Sequence, residues 1–176
     1  MEADRSITLS IPELRLSLKV LGFAQWDDLP LLDTEEPVEQ RLMNALLHLI
    51  QKECFYPVGE QYAPTREFCQ LIGNIGQAER VYCLYAQQYI LAFFYEKGQT
   101  ISVLSPDWGK QEQCRVAAYE GSSLQELQVQ YSVISDQRIK TELKRWEKGP
   151  EEECTYDLEQ LVYGVGSLVY GEEAEE

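Results

Sequence analysis

The chain has 176 residues, a length that suits one domain, and 44% hydrophobic with 11% aromatic residues is enough for a packed core. Thirty acidic residues against fifteen basic ones give a formal net charge of -15. Because nucleic acids and anionic membranes attract Lys and Arg, this balance argues against both as partners. The acidic surface either keeps the chain soluble or steers it toward basic proteins.

The cysteines and the N-terminus point to a reducing compartment. Five cysteines occur at wide spacing with no C-x-x-C pair, and Cys69 and Cys83 sit in apolar patterns typical of buried thiols. Residues 1–5 lack the basic and apolar regions of a signal peptide. The apolar stretch 81–95 is too short to span a bilayer as a helix. We therefore expect a cytoplasmic protein.

The first predicted helix opens at Ser10, where the Ser10 hydroxyl and the Glu13 carboxylate can form a capping box around Pro12. Gly22 is the expected stop. Residues 7–9 before the helix are either a short strand or an extended lead-in. The apolar positions that recur at helical spacing are Ile11, Leu14, Leu18 and Leu21.

Two more helices are predicted before residue 80. The second begins at Thr34 and is expected to be well buried, because its apolar stripe is wide. That stripe comprises Val38, Leu42, Met43, Ala45, Leu46, Leu47, Leu49 and Ile50. Residues 57–59 break the pattern, and a shorter helix follows from Pro64 to Gly73 or Gly76.

From residue 81 the sequence becomes rich in β-branched and aromatic residues. This composition predicts strands over 81–86, 89–95, 100–104 and 113–119. Lys97 and Gly98 form a two-residue hairpin turn, and 106–109 form a second turn. Connections this short predict four antiparallel strands in a meander.

Helical patterns return in the C-terminal part. The segment Gly121-Ser122-Ser123 caps a helix that carries Leu124, Leu127, Tyr131 and Ile134 on one side. The spacing of Ile139, Leu143 and Trp146 predicts another helix. A last pattern covers 157–170. The predicted fold class is α+β, an antiparallel four-stranded meander flanked by N-terminal and C-terminal helices. We expect one domain over 1–170 and an acidic tail over 171–176.

Few residues point to catalytic chemistry. The single histidine, His48, lies mid-helix, and the cysteines lack zinc-ligand spacing. The glycines Gly73 and Gly76 follow a helix instead of opening one after a strand, so they do not fit a phosphate loop. We expect no enzyme activity, no metal and no cofactor. A hydrolase built on two carboxylates stays open, because its acids can come from anywhere in the chain.

Aromatic residues are the remaining signal. They crowd the first two predicted strands at Tyr82, Tyr85, Tyr89, Phe93, Phe94 and Tyr95. Either helices cover both faces of the sheet, or one face stays exposed to a partner. Trp108 stands on a turn, a position typical of interface anchors.

The order of these parts and scattered positions along the first two thirds of the chain resemble a known family. The positions are Ile7-Thr8-Leu9, Glu13-Leu14, Leu21-Gly22, Leu29-Pro30, 42–51, Gly59, Pro64 and Arg80-Val81. They are similar to the EspG-type cytosolic chaperones of type VII secretion systems, although this chain is shorter and its C-terminal helical part is abbreviated. The resemblance implies binding of a helical-hairpin substrate and protection of its apolar tip. By region, it points to the hairpin at 95–100 and to the C-terminal helices.

The resulting hypothesis is a protein-binding chaperone or adaptor that shields the apolar tip of a helical secretion substrate. An immunity protein that binds and neutralises a toxin is the alternative, since an acidic surface suits a cationic target. Neither hypothesis fixes the oligomeric state. The predicted partner-binding residues are Tyr95, Lys97, Gly98, Trp108, Tyr131 and Trp146.

Overall fold

The computed structural model describes residues 5–21, 38–87, 89–106, 113–134 and 136–146. Four helices and ten strands lie in this part of the chain. In chain order they are β1 (Arg5–Ser10), α1 (Ile11–Val20), α2 (Val38–Gln51), β2 (Phe55–Val58), β3 (Gln61–Pro64), α3 (Arg66–Gly76), β4 (Arg80–Ala86), β5 (Tyr89–Lys97), β6 (Thr100–Pro106), β7 (Gln113–Glu120), α4 (Leu124–Tyr131), β8 (Val133–Ile134), β9 (Gln137–Arg138) and β10 (Glu142–Trp146).

The α+β class is confirmed, and the central sheet is larger than predicted. Six strands form it in the order β1-β7-β6-β5-β4-β10, so the predicted meander β4–β7 makes up its middle. The N-terminal strand β1 adds to β7, and β10 adds to β4, both antiparallel. The prediction of a four-stranded sheet was therefore wrong, because pairing between distant segments leaves no short-range pattern in the sequence.

Strand β10 also replaces the helix predicted around Leu143. Leu143 is half-buried while Glu142, Lys144 and Arg145 are exposed, which fits a strand at the edge of the sheet. Leu143 pairs with Leu84 of β4, which gives the backbone of that strand a second neighbour. The helix before it is confirmed from Ser123, whose hydroxyl accepts from the Glu126 amide, but it ends at Tyr131.

The start of α1 agrees with the sequence in atomic detail. The Glu13 amide donates to Ser10 Oγ at 3.2 Å, and the Ser10 amide donates to Glu13 Oε2 at 2.7 Å. These are the reciprocal bonds of a capping box. Residues 7–9 belong to β1, so the strand alternative is confirmed.

The predicted hairpin between the second and third strands of the meander is confirmed with its loop shifted by one residue. Lys97 and Thr100 pair across β5 and β6, so Gly98 and Gln99 form the loop. Gly98 has φ +60, the left-handed geometry that the first residue of such a loop requires.

Both faces of the sheet are covered in the middle. Helix α3 contacts β5, β6 and β7 on the face that carries Tyr95 and Ala118. On the opposite face Tyr131 of α4 stacks edge-on against Phe94 and Tyr119. The core therefore occupies two layers, one on each side of β5 and β6. The stretches 157–170 and 171–176 lie outside the described residues.

Candidate functional site

The predicted hairpin site lies on β5 and its turn, but its aromatic residue is not at the surface. Tyr95 is 7% exposed and packs beside Phe93 in the core. Lys97 donates from Nζ to Gln77 Oε1 at 2.6 Å, which ties the turn to the end of α3. Gly98 is exposed at the tip. Only the turn itself is accessible to a partner here.

The other predicted residues do not join this hairpin into one surface. Tyr131 lies on the opposite face of the sheet, half-buried against Phe94 and Tyr119. Trp146 ends strand β10, paired with Val81, and its side chain lies outside the described part. Trp108 is also outside the described residues. Of the two alternatives for the aromatic strands, the covered sheet holds for β5, which runs through the middle of the sheet with Phe93, Phe94 and Tyr95 all buried.

A different surface stands out, a small hairpin that we call the β2–β3 arm (residues 55–64). Its two strands pair only with each other among the described residues. Gly59 adopts φ +63 at the first position of the two-residue loop, the conformation that glycine favours. At its base the ring of Phe55 packs edge-on against Phe68 of α3, with 5.9 Å between centroids. The Thr65 amide also donates to the Cys54 carbonyl at 2.8 Å.

Beyond this anchor the arm carries apolar side chains that the described chain leaves about half exposed. Tyr56, Val58 and Tyr62 are 48%, 52% and 47% exposed. Tyr56 and Val58 share one side of the hairpin, while Tyr62 stands opposite Pro57 on the other side. A two-stranded hairpin with apolar groups on both sides has little stability of its own. The arm thus presents half-exposed apolar side chains on both of its faces, beyond the Phe55 anchor.

Helix α2 exposes a second apolar row. Met43 and Leu47 are 53% and 47% exposed and lie four residues apart, which places them side by side on the helix. The prediction that α2 is well buried therefore holds for only part of its apolar stripe. Ala45 and Leu49 lie in the core, whereas Met43 and Leu47 do not.

A cluster of charged groups joins α1, α2 and β1, and its geometry is structural. Lys52 Nζ donates to both Glu13 carboxylate oxygens at 2.9 Å and to the Thr8 carbonyl at 3.0 Å. His48 is exposed, with Nδ1 3.8 Å from Glu13 Oε1. Every proton of the Lys52 ammonium thus has a partner, so this lysine has no free donor for a substrate.

The neighbouring thiol is also unsuited to catalysis. Burial, only partly offset by Lys52, raises the pKa of Cys54 to about 11. The thiolate is the reactive form, and it is scarce at neutral pH when the pKa is this high. Within the described ranges, no group of three His, Cys, Asp or Glu residues is placed to hold a metal ion.

A second polar network holds α4 on the sheet. The Tyr119 and Tyr131 hydroxyls lie 2.7 Å apart, and Gln130 Nε2 donates to the Tyr119 hydroxyl at 3.1 Å. Arg115 Nη1 approaches the Tyr131 hydroxyl at 3.4 Å. Burial and the bond to Tyr119 raise the pKa of Tyr131 above its usual range. A neutral hydroxyl in a packed ring cluster serves to fix the helix.

Comparison with known proteins adds no relatives. No family model matches the chain, and no curated protein is significantly similar to it. The resemblance to EspG-type chaperones gains no support from these comparisons. In the described part of the chain, no helix is both long and apolar enough to cross a membrane.

Sequence reasoning missed the β2–β3 arm because Pro57 and Gly59 also fit a simple break in a helical pattern. The alternation Tyr56, Val58 before Gly59 and Tyr62 after Glu60 was a usable signal for a two-residue hairpin. The sequence pattern does not predict that those side chains are exposed.

Proposed function

We propose that this chain binds a partner protein through the β2–β3 arm, as a chaperone or adaptor that covers an apolar segment of that partner. The observation that carries the proposal is the half exposure of Tyr56, Val58 and Tyr62 on a hairpin anchored by Phe55. Tyrosine is enriched among residues that dominate binding energy at protein interfaces. Isolated surface hydrophobes are ordinary, whereas Tyr56 and Val58 lie side by side on one face of the hairpin and Tyr62 adds an exposed ring on the other face.

Charge defines the chemistry of the partner. With a net charge of -15, the chain accelerates its encounter with a basic protein and repels an acidic one. The proposed partner therefore carries an apolar segment flanked by Lys or Arg. The resemblance to the EspG-type family adds the proposal that this segment belongs to a helical secretion substrate met in the cytosol.

Affinity capture with paired variants tests the proposal. The arm variant combines Tyr56→Ser, Val58→Thr and Tyr62→Ser, changes that remove apolar surface without touching the Phe55 anchor. The matched control is Val129→Ser on α4, which removes a valine that is 48% exposed elsewhere on the molecule. Thermal unfolding of both variants verifies that the fold is intact.

The proposal predicts a stoichiometric basic partner with the wild type and the control, and its loss with the arm variant. Retention of the partner by the arm variant would place the interface elsewhere. Identification of that partner then separates the alternatives, because a toxin domain in place of a secretion substrate favours the immunity function.

A further inference from the structure

The two outer strands of the central sheet differ in what meets their free edges. At β1 the Thr8 carbonyl accepts a hydrogen bond from Lys52 Nζ at 3.0 Å, and the chain continues directly into α1. Strand β10 pairs with β4 on one side, and no other strand of the described residues pairs with its outer side. An outer strand presents backbone N–H and C=O groups to which a further strand can bond. The β10 edge is therefore the one suited to strand addition.

The side chains of β10 leave this edge accessible. Glu142 and Lys144 are 69% and 58% exposed and lie two residues apart, so they share one face of the sheet. Lys144 Nζ lies over the Tyr85 ring of β4, 5.4 Å from its centroid. The lysine thus leans inward over β4, away from the outer edge, and does not shield that edge as edge lysines often do. Leu143 lies on the opposite face and is half-buried.

The order of charges along β10 makes the strand complementary to itself. Residues that stand directly opposite each other in an antiparallel pair project from the same face. If two copies of β10 pair with Leu143 opposite Leu143, then Glu142 of each copy stands opposite Lys144 of the other. A pairing centred on Lys144 places two lysines side by side, and one centred on Glu142 places two glutamates side by side. Opposite charges stabilise a cross-strand pair and like charges destabilise it, which favours the register centred on Leu143.

The ion pair within each β10 is compatible with these contacts. Lys144 Nζ lies 3.7 Å from Glu142 Oε2 of the same chain. An ammonium group donates three hydrogen bonds and a carboxylate accepts about four, so four alternating charges keep both pairs within the chains and add two between them. Exposed ion pairs contribute little free energy. Backbone hydrogen bonds between the strands therefore provide the affinity, and the charges select the register.

We propose that two copies of this chain associate through their β10 edges, antiparallel and centred on Leu143, and join two six-stranded sheets into one continuous sheet. The contact shares no residue with the β2–β3 arm, so it is separate from the proposed partner surface. The net charge of -15 on each copy opposes the approach, and a contact between two five-residue strands is small. The dimer is therefore weak, and salt strengthens it by screening the repulsion between the copies.

Sedimentation velocity of the full chain, from micromolar to millimolar concentration at about 0.15 M salt, is the test. The wild type is expected to shift reversibly from the mass of one chain to the mass of two. Glu142→Lys and Lys144→Glu each place like charges opposite each other, so each should weaken association by about tenfold or more. A mixture of these two variants should associate again, because the two lysines of one variant then stand opposite the two glutamates of the other.

Two controls change the net charge by the same amounts at exposed positions away from β10. Glu60→Lys on the arm and Arg66→Glu at the start of α3 should leave the dissociation constant within about twofold of the wild type. Thermal unfolding verifies that every variant is folded. The mass of a single chain throughout the concentration range overturns the proposal. Association that Glu142→Lys and Lys144→Glu leave unchanged, or that their mixture does not restore, contradicts pairing through β10 in this register.

Discussion

Glu13 combines two roles in one carboxylate, because it closes the capping box of α1 and accepts the ion pair of Lys52. Its side chain is 2% exposed, and removing it leaves the partly buried Lys52 ammonium without its ion pair and with only the Thr8 carbonyl as a partner. We expect Glu13→Ala to lower the free energy of unfolding by about 2–3 kcal/mol in urea denaturation.

The matched control for Glu13 is the exposed pair of Glu142 and Lys144 on β10, with 3.7 Å between the charged atoms. Glu142→Ala should change stability by less than about 0.5 kcal/mol, since solvent screens the pair. If both substitutions lowered the free energy of unfolding equally, burial would not explain how much the Glu13 contacts stabilise the fold.

Tyr131 gives the chain a predicted dependence on alkaline pH. An unfolded tyrosine ionises near pH 10, whereas burial and the Tyr119 hydroxyl raise the pKa of folded Tyr131. Above about pH 10 the unfolded state therefore holds fewer protons than the folded state, and stability falls as pH rises.

Tyr131→Phe removes that contribution along with the hydrogen bonds of its hydroxyl to Tyr119 and, at 3.4 Å, to Arg115. At about pH 8 the variant should be roughly 1 kcal/mol less stable than the wild type. The difference should narrow by about pH 11, because only the wild type bears the ionisation cost at this position. Urea denaturation at both pH values measures the difference in free energy of unfolding between the wild type and the variant. A difference that grows at the higher pH would show that the hydroxyl is not held neutral by the fold.

Residue-scale chemistry was the most predictable part of the molecule. The capping box at Ser10 and the cap at Ser123 were both found in the sequence, because each involves residues only three positions apart. The ion pair between Glu13 and Lys52 was not, since it joins α1 to the turn after α2 across 39 positions.

At the scale of elements, two glycines have opposite roles. Gly59 turns the arm with φ +63, whereas Gly73 lies inside α3 with no atom within 4 Å of the position that a Cβ would occupy. Gly59→Ala should destabilise the arm by about 1–2 kcal/mol through left-handed strain. Gly73→Ala should stabilise the chain by about 0.5–1 kcal/mol, because alanine loses less backbone entropy in a helix.

Hydrogen exchange of the arm amides and thermal unfolding of the whole chain measure the two glycine effects separately. The same sign for both substitutions would contradict the assigned conformations.

The elements that sequence reasoning missed share one property, dependence on distant partners. Strand β10 forms because β4 offers an open edge, although Ile139, Leu143 and Trp146 also fit a helical period. The β2–β3 arm exists because Phe68 anchors Phe55. Conversely, the four meander strands were predictable because β4, β5 and β6 are rich in β-branched or aromatic residues and the connections within the meander are short.

At the scale of the whole molecule, a core on both faces of the sheet decides which residues are available for binding. Tyr95 lies between the sheet and α3, so Tyr95→Ala should cost about 3 kcal/mol or more in unfolding free energy. Tyr62→Ala, at an exposed position of the arm, should cost less than about 1 kcal/mol. Urea denaturation measures both values, and comparable losses would mean that the arm is part of the core.

The core on both faces of the sheet also explains why the predicted binding residues do not form one surface. Aromatic content alone does not distinguish an interface from a core, and Tyr95 and Tyr131 serve the two opposite layers of this core. Net charge, by contrast, belongs to the chain as a whole, so the proposal of a basic partner could be made from composition alone.

Photo-crosslinking in the source cell tests the central claim most directly. A benzoylphenylalanine placed at Tyr62 on the arm is compared with one at Val129 on α4, both on exposed side chains of an otherwise unchanged chain. Binding through the arm predicts one dominant adduct with a basic protein from the arm position and none from the control. An adduct of equal yield at both positions, or none at Tyr62 while the partner still co-purifies, would contradict it.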